Sequence, residues 1–302
     1  MNKTPWSFLG DLLPTDLVTE TTKSVSSYLS DELCPPDVEG ALCSTHWLPI
    51  EHLPQHTLEA SVVAVGETII RLASVQDVVG FEWWLQEQWP GDLPKELHTD
   101  ADVSIGSSQA SVRYPLMSSV LYLSETGGPT AVFDQRSVGG VLEPISPSAV
   151  ALAFPRPGSL LMFDGSLLHC VLHPPSLLAT MPTEMKPRRT LLVNLWARKP
   201  EGATHVPLEM PAPAPAWDGL RERLHGVRPG LGLAERSPMM PQVRTHLTLE
   251  IRVPVTHAED AESWAAQRMP GHLVDRMAEA RGEPVMPKLV VIRYGCLEGI
   301  EH

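Results

Sequence analysis

Three separated side chains have the types and the order of a metal site. His98 and Asp100 are two residues apart, and such residues point to the same face of a strand. His169 comes much later in the chain, just after a Phe-Asp-Gly turn and the start of an apolar strand. Two histidines and one carboxylate form a facial triad on iron(II), which leaves adjacent coordination positions open. The sequence therefore predicts a mononuclear iron site formed by these three side chains.

A pair of arginines precedes an apolar strand that the pattern predicts over residues 190–197. The planar fork of an arginine is the best cation for a carboxylate. A 2-oxoglutarate molecule that chelates a metal through its keto acid end would need such a cation at its other end. Strand alternation places Arg188 on the face of Thr190, Asn194 and Trp196, and it places Arg189 on the opposite face.

Each of these signals has an ordinary structural explanation when it is taken alone. A His-x-Asp tripeptide is common by chance, and a single histidine in an apolar strand is usually a core residue. His173 shares the strand face of His169, so it is an alternative ligand or a substrate contact. The other histidines show no ligand spacing, and they are predicted to lie at the surface: His46, His52, His56 and His205 among them.

The elements that must position these residues are predicted to be mainly short strands. A helix is predicted over Asp16 to Leu29, and a β-hairpin is predicted from two apolar runs, 61–65 and 68–72, around Gly66. Many short strands without alternating helices favour a sandwich, barrel or jelly roll over a Rossmann fold. The predicted strands of the central region cover residues 79–88, 97–105, 117–123, 130–134, 150–154, 159–163, 167–172 and 190–197.

Composition changes divide the chain into three predicted segments. Residues 1–57 form a partly helical lead-in, and residues 58–200 form the β core. Residues 201–302 begin with a proline-rich linker and continue as an α+β extension, with strands over 247–255 and 288–294 and helices over 258–268 and 271–281.

The overall composition narrows the class of partner. The formal net charge of −13 argues against non-specific nucleic-acid binding, which needs a basic face. No apolar run is long enough to predict a membrane span, and the first residues lack the apolar core of an export signal. The four cysteines form no CxxC pair, so free thiols in the cytoplasm are expected.

Residues 82–200 resemble iron(II)/2-oxoglutarate-dependent oxygenases of the prolyl-hydroxylase-like branch. The resemblance rests on motifs in a fixed order: His98-Thr99-Asp100, then SVLYLS at 119–124, GGPTAVF at 127–133, PGSLLMF at 157–163, Leu168-His169 and the strand from Arg188 to Trp196. It implies a double-stranded β-helix (jelly-roll) core. It also implies Fe(II), 2-oxoglutarate as co-substrate, and O2.

The resemblance assigns roles residue by residue. It makes His98, Asp100 and His169 the metal ligands. Tyr122 and Thr130 stand where relatives hold 2-oxoglutarate. Relatives tend to turn the late tryptophan toward the site, which favours Arg188 over Arg189 as the anchor of the distal carboxylate.

Four further side chains are candidates for substrate contact, namely Trp84, Gln86, Asp102 and Asp134. The tryptophan and the glutamine share one face of their strand with Glu82, although plain aromatic packing is the competing explanation. Asp102 shares the face of Asp100, and it is otherwise a partner of the site or a solvated rim residue. The stretch between Asp100 and Tyr122 is longer than in compact relatives, and a lid or substrate loop is one use for it.

The predicted function is hydroxylation of an unactivated C–H bond in a peptide or a small specialised metabolite. Two other classes stay open at this point. One is a degenerate β-helix protein that binds a peptide or small molecule. The other is a cupin-like metalloenzyme that does not use 2-oxoglutarate. The sequence does not name the substrate or the oligomeric state, because pocket specificity lies in loops.

Overall fold

The computed structural model describes residues 6–10, 12–13, 15–30, 45–89, 95, 97–103, 112–138, 141–144, 150–171, 186–204 and 222, with three short strands between 251 and 292. Within these ranges the chain is built mainly from antiparallel strands. The strands are β1 (Trp6–Leu9), β2 (His46–Pro49), β3 (Gly80–Gln88), β4 (Asp102–Val103), β5 (Val112–Arg113), β6 (Ser118–Tyr122), β7 (Thr130–Val138), β8 (Val141–Glu143), β9 (Val150–Ala153), β10 (Leu160–Phe163), β11 (Leu167–Val171) and β12 (Arg188–Trp196).

Two antiparallel sheets face each other. The larger has six strands in the order β1-β10-β6-β12-β3-β2. The smaller is built around β7, which pairs with β11, β9 and β8. Buried side chains from both sheets meet between them, including Tyr122, Val132, Ala153, Leu161 and Phe163. This arrangement confirms the predicted jelly-roll core.

Two helices of the described part of the chain cover the outer face of the larger sheet. They are α1 (Thr15–Ser30) and α2 (Thr57–Ala73). Strand alternation turns Phe81, Trp83 and Leu85 of β3 toward them, and these three residues are almost fully buried in the same apolar cluster as the helices. The even-numbered residues of β3 consequently face the smaller sheet.

The prediction of a hairpin over 61–72 is wrong, because these residues lie inside helix α2. The β-branched run suggests strands, but Leu58, Val62, Val65 and Ile69 also recur at helical spacing, and all four are fully buried. Gly66 is not a turn residue. A Cβ atom there would lie 2.3 Å from Cε1 of Phe81, so the glycine lets the helix approach the sheet.

The lead-in segment contributes directly to the larger sheet. Its predicted helix is confirmed as α1, and its strands β1 and β2 form the two edges of the sheet by pairing with β10 and β3. The predicted strands of residues 79–197 are confirmed with small shifts at their ends, except that the described part of the stretch 97–105, residues 97–103, contains only the bridge at His98 and the short β4.

A separate three-stranded sheet comes from the C-terminal third of the chain. It contains β13 (Ile251–Arg252), β14 (Ala266–Arg268) and β15 (Leu289–Ile292), with β15 in the centre. β13 and β15 lie within the two predicted strands. β14 occupies the end of the predicted helix 258–268, so that end is a strand, and the predicted helix 271–281 lies outside the described residues. No helix in the described part is long and apolar enough to cross a membrane.

Candidate functional site

The imidazoles of His98 and His169 and the carboxylate of Asp100 converge on one point. One ligand atom from each residue lies within 4.8 Å of the others. Asp100 Oδ1 lies 3.6 Å from His98 Nε2 and 3.5 Å from His169 Nε2. Two ligands at roughly 2.0–2.2 Å from one ion can be about 4 Å apart, so both of these pairs suit a shared metal.

Backbone pairing brings the two histidines together across the sequence. His98 and His169 form an antiparallel bridge in which each backbone N–H donates to the carbonyl of the other residue, both at 2.9 Å. The pairing of β11 with β7 shifts register between Leu167 and His169. The His98-Thr99-Asp100 motif is thereby held beside β11, an edge strand of the smaller sheet.

Hydrogen bonds orient His169 and Asp100 toward the shared point. His169 Nδ1 lies 3.1 Å from the carbonyl oxygen of Leu167, which fixes the proton on Nδ1 and leaves Nε2 with a free lone pair. Asp100 Oδ2 accepts hydrogen bonds from Ser118 Oγ at 2.8 Å and from Asn194 Nδ2 at 3.2 Å. Oδ1 of the same carboxylate is left to face the two imidazoles.

The electrostatics of the cluster favour a charged carboxylate. Burial alone would raise the pKa of Asp100, but its attraction to His169 and His98 and the hydrogen bonds hold that pKa well below its usual range. Burial would lower the pKa of His169, but Asp100 and the Leu167 carbonyl raise it overall. A metal cation that took the place of the imidazole protons would face the same negatively charged Asp100 carboxylate.

Arg188 is a buried cation surrounded by neutral acceptors. Its side chain is 1% exposed, and its nitrogens donate to Thr130 Oγ1 at 2.9 Å, to Gln86 Oε1 at 3.3 Å and to the Gly128 carbonyl at 3.3 Å. Among the described residues no carboxylate lies within ion-pair distance of it. Burial lowers the pKa of Arg188, because no anion offsets the lost hydration.

Tyr122 and Thr130 complete the surroundings of this arginine. The Tyr122 hydroxyl lies 2.8 Å from Thr130 Oγ1 and 3.0 Å from the carbonyl oxygen of Ala153. The guanidinium carbon of Arg188 lies 5.5 Å from the centre of the tyrosine ring. Burial raises the pKa of Tyr122, and the neighbouring arginine only partly offsets this effect.

Arg189 points the other way, as alternation predicts. Its Nε donates to Glu87 Oε2 at 2.6 Å, and its NH1 donates to Ser26 of helix α1 at 2.9 Å. This arginine therefore has an anionic partner in Glu87 and a contact with helix α1, and it does not itself line the cavity described below.

A cavity of about 750 Å3 connects the histidine cluster with Arg188. Its floor is formed by facing residues on β3 and β12, with Glu82 opposite Asn194 and Trp84 opposite Leu192, and by Gln86. The cluster residues line the cavity as well: His98, Asp100 and His169. The floor thus runs from a cationic end, through an apolar strip, to an acidic end.

Residues of the smaller sheet, among them Thr130 and His169, also line the cavity. Thr130, which Arg188 contacts, stands opposite Val171 in the register of β7 with β11, and Val132 stands opposite His169. One i to i+2 step of a strand spans roughly 6.6 Å at ~3.3 Å per residue. A five-carbon diacid has a suitable length for that step.

Three of the four predicted substrate residues line the cavity, and one does not. Trp84, Gln86 and Asp102 line the cavity. Asp102 accepts a hydrogen bond from Arg113 NH2 at 2.6 Å, so it is already paired. Asp134 is half-buried and does not line the cavity, which is contrary to its candidacy as a contact. His173 lies outside the described residues.

Sequence reasoning also misjudged several polar residues. His46 and His56 are buried, at 4% and 7% exposure, where surface positions were predicted. Ser118 and Asn194 hold Asp100, but neither was predicted as a site residue. Asn194 was detectable from its even offset along the strand from Arg188, whereas no sequence signal pointed to Ser118.

No family model matches the chain, and no curated protein matches it. Similar solved structures include a Pseudomonas putida prolyl-4-hydroxylase (20% identity, 65% of this chain and 94% of that chain, TM-score 0.42). Another is HygX from Streptomyces hygroscopicus with nickel and 2-oxoglutarate bound (13% identity, 67% of this chain and 91% of that chain, TM-score 0.34). A third is EctD from S. alaskensis with 2-oxoglutarate and 5-hydroxyectoine (15% identity, 70% of this chain and 81% of that chain, TM-score 0.39).

Proposed function

We propose that this protein is an iron(II)- and 2-oxoglutarate-dependent oxygenase that oxidises a C–H bond of a small molecule or a peptide side chain. The main support is the convergence of His98, Asp100 and His169 at the wall of a cavity that is also lined by Arg188, a buried arginine with no carboxylate partner among the described residues. Each half of this arrangement fits one of the two cofactors that the sequence resemblance implies.

The donor set fits iron(II). Two neutral imidazole nitrogens and one carboxylate oxygen form the facial triad of non-haem iron oxygenases. His169 presents Nε2, and Asp100 presents Oδ1, because their other polar atoms are held by the protein. When bound, the iron supplies the activation of O2 and the oxidation of the substrate, which no side chain performs.

The arginine end fits the distal carboxylate of 2-oxoglutarate. A guanidinium buried with neutral acceptors alone lacks the anion that would compensate its lost hydration. Arg188 would hold that carboxylate together with Thr130. Ser118 and Asn194 would keep Asp100 in position, and the two packed sheets would exclude water from the reacting centre.

The experiment that tests this function measures metal binding and co-substrate turnover. The full chain is titrated with iron(II) without oxygen, and one equivalent per chain is expected to bind. His169→Ala is expected to lose that binding by about 100-fold or more, because a triad reduced to two donors holds the ion weakly. His52→Ala, at a position that does not line the cavity, is the matched control and retains the binding.

Succinate formation then separates the proposed function from its two competitors. The wild-type chain, iron(II), 2-oxoglutarate and O2 are expected to yield succinate slowly even without a substrate. Metal binding without 2-oxoglutarate binding or succinate would favour a cupin-like metalloenzyme. Binding of neither would favour a pocket protein with no oxygenase activity, and full metal occupancy in the His169 variant would move the ligand assignment to another residue.

A further inference from the structure

One carboxylate of the cavity stands apart from the others. Among the described residues, four lining carboxylates lie near a cationic or histidine side chain: Asp100 with His98 and His169, Asp102 and Glu201 with Arg113, and Glu87 with Arg189. Glu82 also lines the cavity, but in that part of the chain no lysine, arginine or histidine lies within ion-pair distance of it.

Glu82 is nevertheless held firmly in place. The indole Nε1 of Trp196 donates a hydrogen bond to its Oε2 at 2.8 Å. Burial raises the pKa of Glu82 to about 7, since the hydrogen bonds from Thr45 and Trp196 only partly compensate for the desolvation and for the nearby Asp100 and Asp102. A carboxylate in this situation has a free energy to gain from a cation.

The residue opposite Glu82 supplies a second, independent observation. Asn194 is 1% exposed, and it faces Glu82 across the β3–β12 ladder, on the cavity face. Its Nδ2 must face Asp100, which accepts that hydrogen bond, so the orientation of the amide is set. Its Oδ1 is buried and accepts no hydrogen bond among the described residues. Orphaned buried acceptors are uncommon in native proteins.

We infer that the substrate carries a primary ammonium group, which Glu82 and Asn194 bind at the acidic end of the cavity. Both groups are acceptors, and facing side chains of a ladder have Cβ atoms about 4.5–5.5 Å apart, a spacing that one nitrogen with several N–H donors can bridge. The adjacent Trp84 and Leu192 provide an apolar surface for the carbon chain, and an indole face also favours a cation.

The position of the oxidised C–H bond follows from this inference only if the proposed function holds. Asn194 Nδ2 lies 3.2 Å from Asp100 Oδ2, so a nitrogen held there lies close to the metal ligands. The C–H bond that is oxidised would therefore be near the charged nitrogen of the substrate rather than at a remote end of it.

The test compares charged ligands with neutral counterparts of the same shape. Two pairs serve as probes, namely benzylamine with benzyl alcohol, and a short capped peptide containing one lysine with its norleucine counterpart. Binding to the full chain is measured by calorimetry, with and without manganese(II). The charged member of at least one pair is expected to bind about tenfold or more tightly, which corresponds to ~1.4 kcal/mol. The two pairs distinguish a free amine from a peptide side chain.

The variant Glu82→Gln keeps the shape of the side chain and removes its charge. It is expected to reduce the preference for the charged member to less than about threefold, whereas Glu125→Gln, which removes the same charge at an exposed position outside the cavity, retains the full preference. Unchanged binding of benzyl alcohol and an unchanged circular dichroism spectrum verify that the Glu82 variant is folded.

Two outcomes would overturn the inference. One is the absence of any preference in both wild-type pairs, which needs no variant. The other is a preference that survives in folded Glu82→Gln. Because the measurement needs neither iron nor 2-oxoglutarate, a failed metal titration would remove the oxygenase proposal and leave this result interpretable, and a failed amine preference would leave the oxygenase proposal intact.

Discussion

At the scale of single residues, the cationic end of the cavity, at Arg188, depends on a close approach of backbone and side chain. Gly127 has a φ of +94°, and a Cβ atom there would lie 2.6 Å from Cβ of Arg188. Glycine at this position therefore serves two needs, the left-handed backbone and the space for the arginine stem. The arginine is in turn held by the next residue of that loop, since its Nε donates to the Gly128 carbonyl.

The two arginines are expected to differ in their effect on 2-oxoglutarate. Arg188→Ala should weaken 2-oxoglutarate binding by roughly 100-fold or more, because the ligand carboxylate would lose its buried cation. Arg189→Ala should change it by less than about tenfold, since this arginine pairs with Glu87 on the other face. Calorimetry with manganese(II)-loaded protein measures both constants, and thermal unfolding monitors the stability of each variant. The reverse ranking would contradict the assignment of the anchor.

At the scale of elements, helix α2 shows why tertiary packing overrides local propensity. Twelve of its residues are buried, because it lies between helix α1 and the larger sheet. Its contact with α1 includes a hydrogen bond between the hydroxyls of Thr21 and Ser61 at 2.7 Å. β-Branched residues are acceptable in such a helix when burial on several sides repays their weak helical preference.

Gly66→Ala in this helix should destabilise the protein. An exposed helical glycine replaced by alanine would stabilise it by roughly 0.5–1 kcal/mol. Here the new methyl group would overlap the ring of Phe81, which is fully buried, and a loss of about 1–3 kcal/mol is expected. Urea unfolding measures the change, and Gly202→Ala is the control because nothing lies within 4 Å of its Cβ position. A higher unfolding midpoint for Gly66→Ala would show that the helix has room to move.

The junction of α1, β2 and β3 contains a buried histidine with a consequence for pH dependence. His46 Nε2 lies 2.7 Å from the Tyr28 hydroxyl, and the imidazole centre is 4.8 Å from the ring of Trp83. Burial lowers the pKa of His46 below its ordinary value of 6.5. The folded state consequently binds fewer protons than the unfolded state as the pH falls through this range.

The contribution of His46 to the free energy of unfolding should therefore fall as the pH is lowered from about 7.5 to 5.5, by at most ~1.4 kcal/mol per pH unit, whereas the raised pKa values of Glu82 and His169 act in the opposite direction. Over this interval the slope of the free energy of unfolding against pH should be less positive in His46→Gln than in the wild type. Urea unfolding at a series of pH values measures the slopes. Equal slopes in wild type and His46→Gln would exclude this histidine as the cause.

At the scale of the whole molecule, the described site residues come from residues 82–196 and are closed in by segments on either side. The strands β1 and β2 add both edges of the larger sheet. After β12, Thr204 forms a parallel bridge with His46, and its N–H donates to the Thr45 carbonyl at 2.9 Å. Thr45 also hydrogen-bonds the carboxylate of Glu82, so this last contact reaches the cavity.

We expect that a chain ending shortly after Thr204 retains the metal and 2-oxoglutarate sites. Every described residue that lines the cavity lies between positions 45 and 202, and the bridge at Thr204 would be preserved. Iron(II) and 2-oxoglutarate affinities of the shortened and full chains should agree within about threefold, which is less than ~1.4 kcal/mol. Loss of either affinity, or failure of the shortened chain to fold while the full chain folds, would make residues 205–302 part of the core.

Some features could be predicted from the sequence because they depend on local rules. The order of His98, Asp100 and His169, the short-strand pattern and the opposite faces of Arg188 and Arg189 all follow from residue type and the two-residue period of a strand. Helix α1 was also predictable from its own segment. A strand pattern persists in the folded protein because each face is buried or exposed as a unit.

Other features required the tertiary structure, because they depend on which segments meet. Helix α2 has a sequence that suits either element, and its burial on several sides decided the outcome. The role of Ser118 beside Asp100, and of Glu82 opposite Asn194, depends on strands that are far apart in sequence. The acidic end of the cavity is likewise a property of the β3–β12 register. Local pattern reports the face of a side chain, and only packing decides what that face meets.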